Sequence, residues 1–312
     1  MTTTTTGNLA PPPPPLPPPL SPPPPRIAFT TPSNYAKRLS IQLKNHHQHP
    51  ILLSCPTVIV ESTFQTKQFI KPYLSILEDF SAIAFTSRTG ITAFSETLLQ
   101  EEEDEEDCHH YMPLKETGDV FTLSALGKDA ELLNSDFISK LCVNDNRIRV
   151  LVPSIATPLS LVESLGLGFG RKVLCPVPVV IGLDEPSVVP DFLEALSLND
   201  WIPVKVSAYE TRWAGADCAA PLLERLRMEG EGVDAIVFTS TAEVQGLLKS
   251  LSELGFDWEM VRKRWPGLVV AAHGPVTAAG ANSLGVSVDV VGSRFGSFEG
   301  VVEALMSKLG YQ

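Results

Sequence analysis

The stretches AIAFTS at 82–87 and AIVFTS at 235–240 are nearly identical and start 153 residues apart in a chain of 312. The first stands in DFSAIAFTSRTGITAFSETLLQ, the second in GVDAIVFTSTAEVQGLLKSLSELG. Ala82 to Phe85 is a short apolar run suited to a buried parallel strand, and Ile91, Phe94 and Leu98 then follow at helical spacing. Ala235 to Phe238 repeats the strand, and Val244, Leu247, Leu248 and Leu251 repeat the helical face. Thr86-Ser87 and Thr239-Ser240 lie at the turns, where small hydroxyl residues cap helices. The same strand–turn–helix is thus written twice.

Other elements repeat with it. Residues 26–61 read strand, turn, helix, strand, and residues 171–210 read the same way 145 positions later. FTLSALGKDAELL at 121–133 and LVVAAHGPVTAAGANSLG at 268–285 are each an apolar strand, a Gly turn and a helix. The chain is therefore a tandem duplication of roughly 150 residues in which strands alternate with helices. Such alternation implies an α/β fold with parallel sheets covered by helices on both faces.

Ligands of open parallel sheets bind beyond the carboxyl ends of the strands. Thr30-Thr31, Thr86-Ser87, Gly127, Thr239-Ser240 and Gly274 to Thr277 all fall at such ends. Two domains facing each other would form a cleft lined by hydroxyls and helix N-termini, a surface suited to anions. Tyr209, at the end of KVSAYET where the chain is expected to pass between domains, is a candidate proton donor into the cleft; the alternative is a packed strand-end tyrosine.

Composition narrows the function. The net charge of −12 leaves no basic stripe for nucleic acid. Seven acidic residues form one run, EEEDEED at 101–107, expected to be a solvated loop insertion. No apolar run reaches membrane-spanning length, so a soluble chain is expected. Five cysteines without a CxxC pair point to reduced thiols. Cys108-His109-His110 are adjacent and cannot all face one ion, and no metal site is expected there or at His46, His47 and His49. Residues 1–25 are a Thr/Pro-rich, low-complexity arm expected to be disordered. The arm is Thr-rich and free of acidic residues, as in plastid transit segments, but it is short and lacks Arg before Arg26. There is no GxSxG elbow, P-loop or HExxH motif. GLGFG at 166–170 precedes a strand rather than following one, and reads as a turn. An enzyme of this composition would act by positioning and backbone donors. His273 reads as a packed strand-end residue rather than a base.

Together, the FTS strand-ends, the A-x-G-P-x-T-A turn at 272–278 and A-Y-x-T at 208–211 resemble the uroporphyrinogen-III synthase family, from about residue 26 to the C-terminus and most closely over 234–305. The resemblance implies two flavodoxin-like domains: 26–58 with 212–312, and 63–203, joined by linker strands near 58–62 and 204–209. It implies a cofactor-free lyase, likewise without a metal, that cyclises hydroxymethylbilane, a linear tetrapyrrole rich in carboxylates, with loss of water and inversion of ring D. Tyr209 matches the tyrosine that assists hydroxyl departure. Thr239, Ser240, Gly274 and Thr277 match cleft positions of one domain, and Thr86 and Ser87 those of the other; Thr30, at the end of the first strand, is a further candidate for substrate binding. The implied partner is the small-molecule substrate, and a monomer in a chloroplast, or alternatively the cytoplasm, is expected. The chain departs from the family pattern at TTP (30–32) and CPVP (175–178), which lack an expected Arg, and at Asp129-Ala130, where a Thr would stand at 130. A non-catalytic two-lobed paralogue that binds a tetrapyrrole or another polycarboxylate is the alternative.

Overall fold

Short apolar runs ending in small hydroxyl or Gly residues become strands, and each amphipathic run that follows folds back as a helix over the sheet. The computed structural model describes residues 23–46, 49–104, 112–228, 230, 232–294 and 297–311. In chain order the elements are β1 (Arg26–Phe29), α1 (Ser33–Lys44), β2 (Ile51–Ser54), β3 (Val58–Glu61), α2 (Phe64–Leu74), β4 (Ala82–Phe85), α3 (Arg88–Asp104) and β5 (Phe121–Ala125). There follow α4 (Ser135–Ser139), β6 (Ile148–Leu151), α5 (Pro158–Leu165), β7 (Lys172–Ile181), α6 (Val188–Leu198), β8 (Ile202–Trp213) and α7 (Ala220–Arg227). The chain closes with β9 (Ala235–Phe238), α8 (Thr241–Glu253), α9 (Trp258–Arg264), β10 (Val269–Ala272), α10 (Pro275–Ser283), β11 (Val290–Val291) and α11 (Glu299–Lys308).

These strands form two sheets, one of order β2-β1-β9-β10-β11 and one of order β6-β5-β4-β7-β8-β3. Within each sheet the repeated strands keep the order 2-1-3-4-5 of a doubly wound fold. The first sheet takes two strands from the first copy of the repeat and three from the second, and the second sheet takes two from the second copy and four, β3 included, from the first. β1 pairs in parallel with β9, while β7, the counterpart of β1, pairs in parallel with β4. β3 is the exception to parallel pairing, running antiparallel to the far half of β8 from Val58↔Trp213 to Glu61↔Glu210. The chain passes between lobes just before β3 and just after β8. Residues 204–209 belong to one continuous twelve-residue strand of the second sheet.

Each lobe buries a cluster on both faces of its sheet. Phe85, Phe94 and Leu123 pack on one face of the second sheet, and Val173, Leu161 and Phe192 on the other. Val244, Leu247 and Leu251 of α8 are fully buried in the first lobe, and Leu248 is half-buried. Burying such a side chain stabilises the fold by about 1.5–3 kcal/mol. None of these apolar clusters crosses between lobes. The lobes meet through polar contacts instead: Asp184 with Gln245 (N to Oε1 3.1 Å), Lys128 with Glu299 (3.7 Å) and Lys249 Nζ to the Gly182 carbonyl (2.8 Å). Small polar interfaces of this kind permit hinge motion between domains.

Three sequence expectations are corrected. The acidic run is not a loop over 101–104, because α3 continues through Asp104; residues 105–107 lie outside the described residues, as do Cys108-His109-His110, His47 and the arm from 1 to 22. The segment after β5 is a 3-10 turn (Gly127–Leu132) that buries none of its residues, so no apolar face holds it as an α-helix. The strand expected at 171–177 runs on to Ile181. Pro176 and Pro178 are tolerated there because β4 pairs only with Val173 and Leu174, leaving that edge of β7 open beyond them. GLGFG is a packing turn at the amino end of β7, where a Cβ on Gly168 would come within 2.4 Å of the Asp200 carbonyl oxygen. No helix among the described residues is long and apolar enough to cross a membrane.

Candidate active site

A doubly wound sheet opens a crevice at its carboxyl edge where the strand order reverses, here between β1 and β9 in one lobe and between β7 and β4 in the other. The two crevices face each other across a cavity of about 410 Å³. Thr86, Ser87, Tyr209, Thr239, Ser240, Gly274 and Thr277 all line it. Thr30 does not. It is fully buried, and its hydroxyl donates to Glu243 Oε2 at 2.8 Å, because the first turn of α8 closes over the end of β1.

Glu243 organises the second-copy turn. Its carboxylate accepts from Thr30 Oγ1, Thr239 N (2.9 Å), Thr239 Oγ1 and Ser240 Oγ (3.2 Å), while Ser240 Oγ caps α8 by accepting from Glu243 N (3.4 Å). Burial pushes the Glu243 carboxyl above its ordinary value, and these donors oppose the push. Thr239 and Ser240 thus spend hydroxyl donors on an internal carboxylate. Thr277 Oγ1 likewise donates to the Thr239 carbonyl at 3.2 Å. What the first lobe presents to a ligand is chiefly backbone. Gly274 starts α10 with extended backbone, no side chain caps it and Pro275 follows, so the first-turn N–H groups of Val276 and Thr277 are helix-end donors at the cavity wall.

In the second lobe the first-copy turn is arranged around Tyr209. Ser87 Oγ accepts from Gly90 N at 3.1 Å and is hydrogen-bonded to the Tyr209 hydroxyl. The pairing of β7 with β8 shifts between Val177↔Ser207 and Pro178↔Tyr209, leaving Ala208 unpaired. That bulge breaks the alternation of the strand, so that Ala208 and Tyr209 are both buried and Tyr209 reaches the cavity. Burial pushes the Tyr209 phenol up, and it is a neutral O–H at physiological pH. His273 is also neutral. Burial pushes its pKa down, and its Nε2 lies 3.1 Å from the Ser297 carbonyl, which it meets as a donor.

Four further groups reach the cavity that sequence reasoning missed: Tyr35, Arg38, Arg88 and Asp129. Tyr35 Oη lies 2.5 Å from Thr89 Oγ1, joining α1 of one lobe to α3 of the other. Arg88 Nη1 is 3.8 Å from Asp129 Oδ1. TTP carries no cation, and Arg38, one turn into α1, brings one to the cavity wall; the signal was its i,i+3 spacing from Tyr35 on a helix starting at a strand end. Asp129 stood out in the sequence only as a departure from the family turn, since its place at the cavity depends on a 3-10 turn. Among the described residues no group of three His, Cys, Asp or Glu side chains is placed to hold a metal ion.

Residues 143–301 match the family model described as uroporphyrinogen-III synthase HemD. No curated protein matches. Among solved structures, a mutant uroporphyrinogen III synthase of Thermus thermophilus superposes with a TM-score of 0.54 at 18% identity, covering 91% of this chain and 99% of that one. A uroporphyrinogen-III synthetase from Helicobacter pylori aligns at 14% identity and a TM-score of 0.44, with the same coverages. At 18% identity the Thermus likeness speaks to the fold alone, and it is the family match over half the chain that decides the matter. The chain belongs to the uroporphyrinogen-III synthase family.

Proposed function

We propose that the protein is a uroporphyrinogen-III synthase that closes hydroxymethylbilane without a cofactor, inverting ring D and releasing water. The observation that carries the reading is Tyr209, a protonated phenol aimed by a strand bulge into a cleft between two lobes. In this scheme the C–O bond of the substrate's hydroxymethyl group breaks, the oxygen leaves with its bonding pair, and the Tyr209 O–H donates the proton that completes water. Ser87, bonded to that hydroxyl, orients it. The Val276 and Thr277 N–H groups and Arg38 hold substrate carboxylates. Closure of the polar lobe interface would bring both sets of donors onto one substrate. The electrophilic methylene left behind is attacked by the ring D carbon that already carries the bridge to ring C. That bridge bond then breaks and its methylene re-bonds to the free α carbon of ring D, which inverts the ring, and the proton lost from that carbon returns to the Tyr209 phenolate.

The test is a coupled assay that generates hydroxymethylbilane in situ and separates type I from type III uroporphyrin. Uncatalysed closure gives type I, and protein-dependent type III product is expected. Type I alone, from folded protein, would overturn the reading. It would favour the non-catalytic paralogue, for which the commitment of Thr239, Ser240 and Thr277 to internal partners speaks. The same proposal places the protein as a monomer in heme and chlorophyll formation in a chloroplast, with the cytoplasm as the alternative. Light scattering and imaging of a fluorescent fusion test those two points.

A further inference from the structure

Asp129 occupies an unusual position for a carboxylate in a cleft meant for carboxylates. It faces the cavity from a turn that buries none of its own residues. Its partner Arg88 is 3.8 Å away, too far for a hydrogen bond, and both side chains keep partial solvent access. The Arg88 backbone N–H, at the start of α3, also donates to it. From the opposite lobe, α1 is docked at the same place by the contact between Tyr35 and Thr89, and Arg38, one turn further along α1, acts on Asp129 with its positive charge. The cavity therefore brings two arginines from two lobes, and a helix-end N–H, to one loosely held acid of the chain itself.

We propose that Asp129 is an internal stand-in for a ligand carboxylate: an acid group entering the cleft displaces it, and Arg88 and Arg38 become a two-lobed cationic anchor for that acid. The inference rests on the reading above only in taking the ligand to be a polycarboxylate. Two features make the exchange feasible. Burial pushes the Asp129 carboxyl up, so the group is less well satisfied than an ordinary surface carboxylate. The 3-10 turn also holds no fully buried residue of its own, and only Ala130 and Leu132, both partly buried, pack it against the core.

The test is equilibrium binding of uroporphyrin III, followed by fluorescence quenching, to wild type, D129N, R88Q, R38Q and the D129N/R88Q double variant. R88Q and R38Q should weaken binding about tenfold, as expected for loss of a charge-assisted contact. D129N should tighten it several-fold, and that gain should shrink in the double variant, because only Arg38 is then left to release. Unchanged or weaker binding by D129N overturns the proposal, as does undiminished binding by both arginine variants or no binding by wild type. If D129N fails to fold by circular dichroism, Asp129→Ser serves in its place with the same expectation. The coupled assay separates the two ideas. The affinity pattern without type III product would sink the enzyme reading and leave the anchor, whereas type III product with flat affinities would do the reverse.

Discussion

The two FTS turns share a sequence but not a use. After Ser240 the third residue is Glu243; after Ser87 it is Gly90. In the first lobe the Glu243 side chain reaches under α8 to the end of β1 and fills that space with a hydrogen-bonded carboxylate. In the second lobe the corresponding space holds Tyr209. A Cβ on Gly90 would lie 3.3 Å from the Pro176 carbonyl oxygen and 3.6 Å from the Tyr209 ring. One copy fills the floor of its crevice with an acid that braces β1, β9 and α8. The other has emptied the same position so that a phenol can enter. Duplication supplied two equivalent strand ends, and a single position in each decides which is a brace and which is the candidate reaction centre.

The sharpest way to break the comparison is at the phenol. Tyr209→Phe keeps the ring and its packing, and should lower type III formation by about 10²–10⁴-fold, the usual range for a lost general acid. Its thermal midpoint should stay near that of wild type, and wild-type turnover would remove Tyr209 from the chemistry. Gly90→Glu would make the first turn resemble the second. It should displace Tyr209 and abolish type III product, and an active, folded G90E protein would show that the two crevices are not alternatives.

At the brace the effect should appear in stability. Glu243→Ala strands several buried donors and should cost about 3 kcal/mol, read by denaturant unfolding. A loss confined to turnover would instead make Glu243 part of the reaction. Thr277→Ala should lower turnover modestly and cost about 1 kcal/mol through its bond to the Thr239 carbonyl; no change in either would release Thr277 from the site. The smallest effect is at His273. Its folded pKa lies below the ordinary value, so the unfolded chain binds its proton first as pH falls. Its contribution to stability is present above about pH 6.5 and lost below it. Thermal midpoints of wild type should therefore drop between pH 7 and 5 more than those of His273→Gln, and parallel curves would refute the assignment.

Much of this was legible in the chain. Apolar runs at 82–85 and 235–238, with helical spacing after each, announced buried strands and amphipathic helices, because those periods follow from backbone geometry alone. The cleft positions at 86–87, 239–240, 274 and 277 followed from the rule that parallel sheets bind ligands at strand ends. Thr30 was misplaced because its burial comes from Glu243, a residue 213 positions away. Arg38 has no strand-end mark in the sequence because it stands within a helix rather than directly after a strand, and Asp129 stands out there only as a departure from the expected turn, since its reach into the cavity depends on a 3-10 turn. The continuation of α3 into the acidic run was hidden by composition, since Glu is a good helix former as well as a solvated loop residue.

The sequence by itself determined the local elements, their duplication, and the end of each sheet at which a ligand would meet them, since all three depend on residue order and backbone periodicity. Which copy's strands complete which sheet was decided only in three dimensions. A duplicated pattern offers each strand two partners of the same local quality, and β1 lies beside β9, 207 residues away by the bond from Thr30 to Val237, through contacts that no window of sequence contains. The same crossing of copies sets Arg38 from one repeat segment against Arg88 and Asp129 of the other lobe, where separation along the chain says nothing about distance across a cleft.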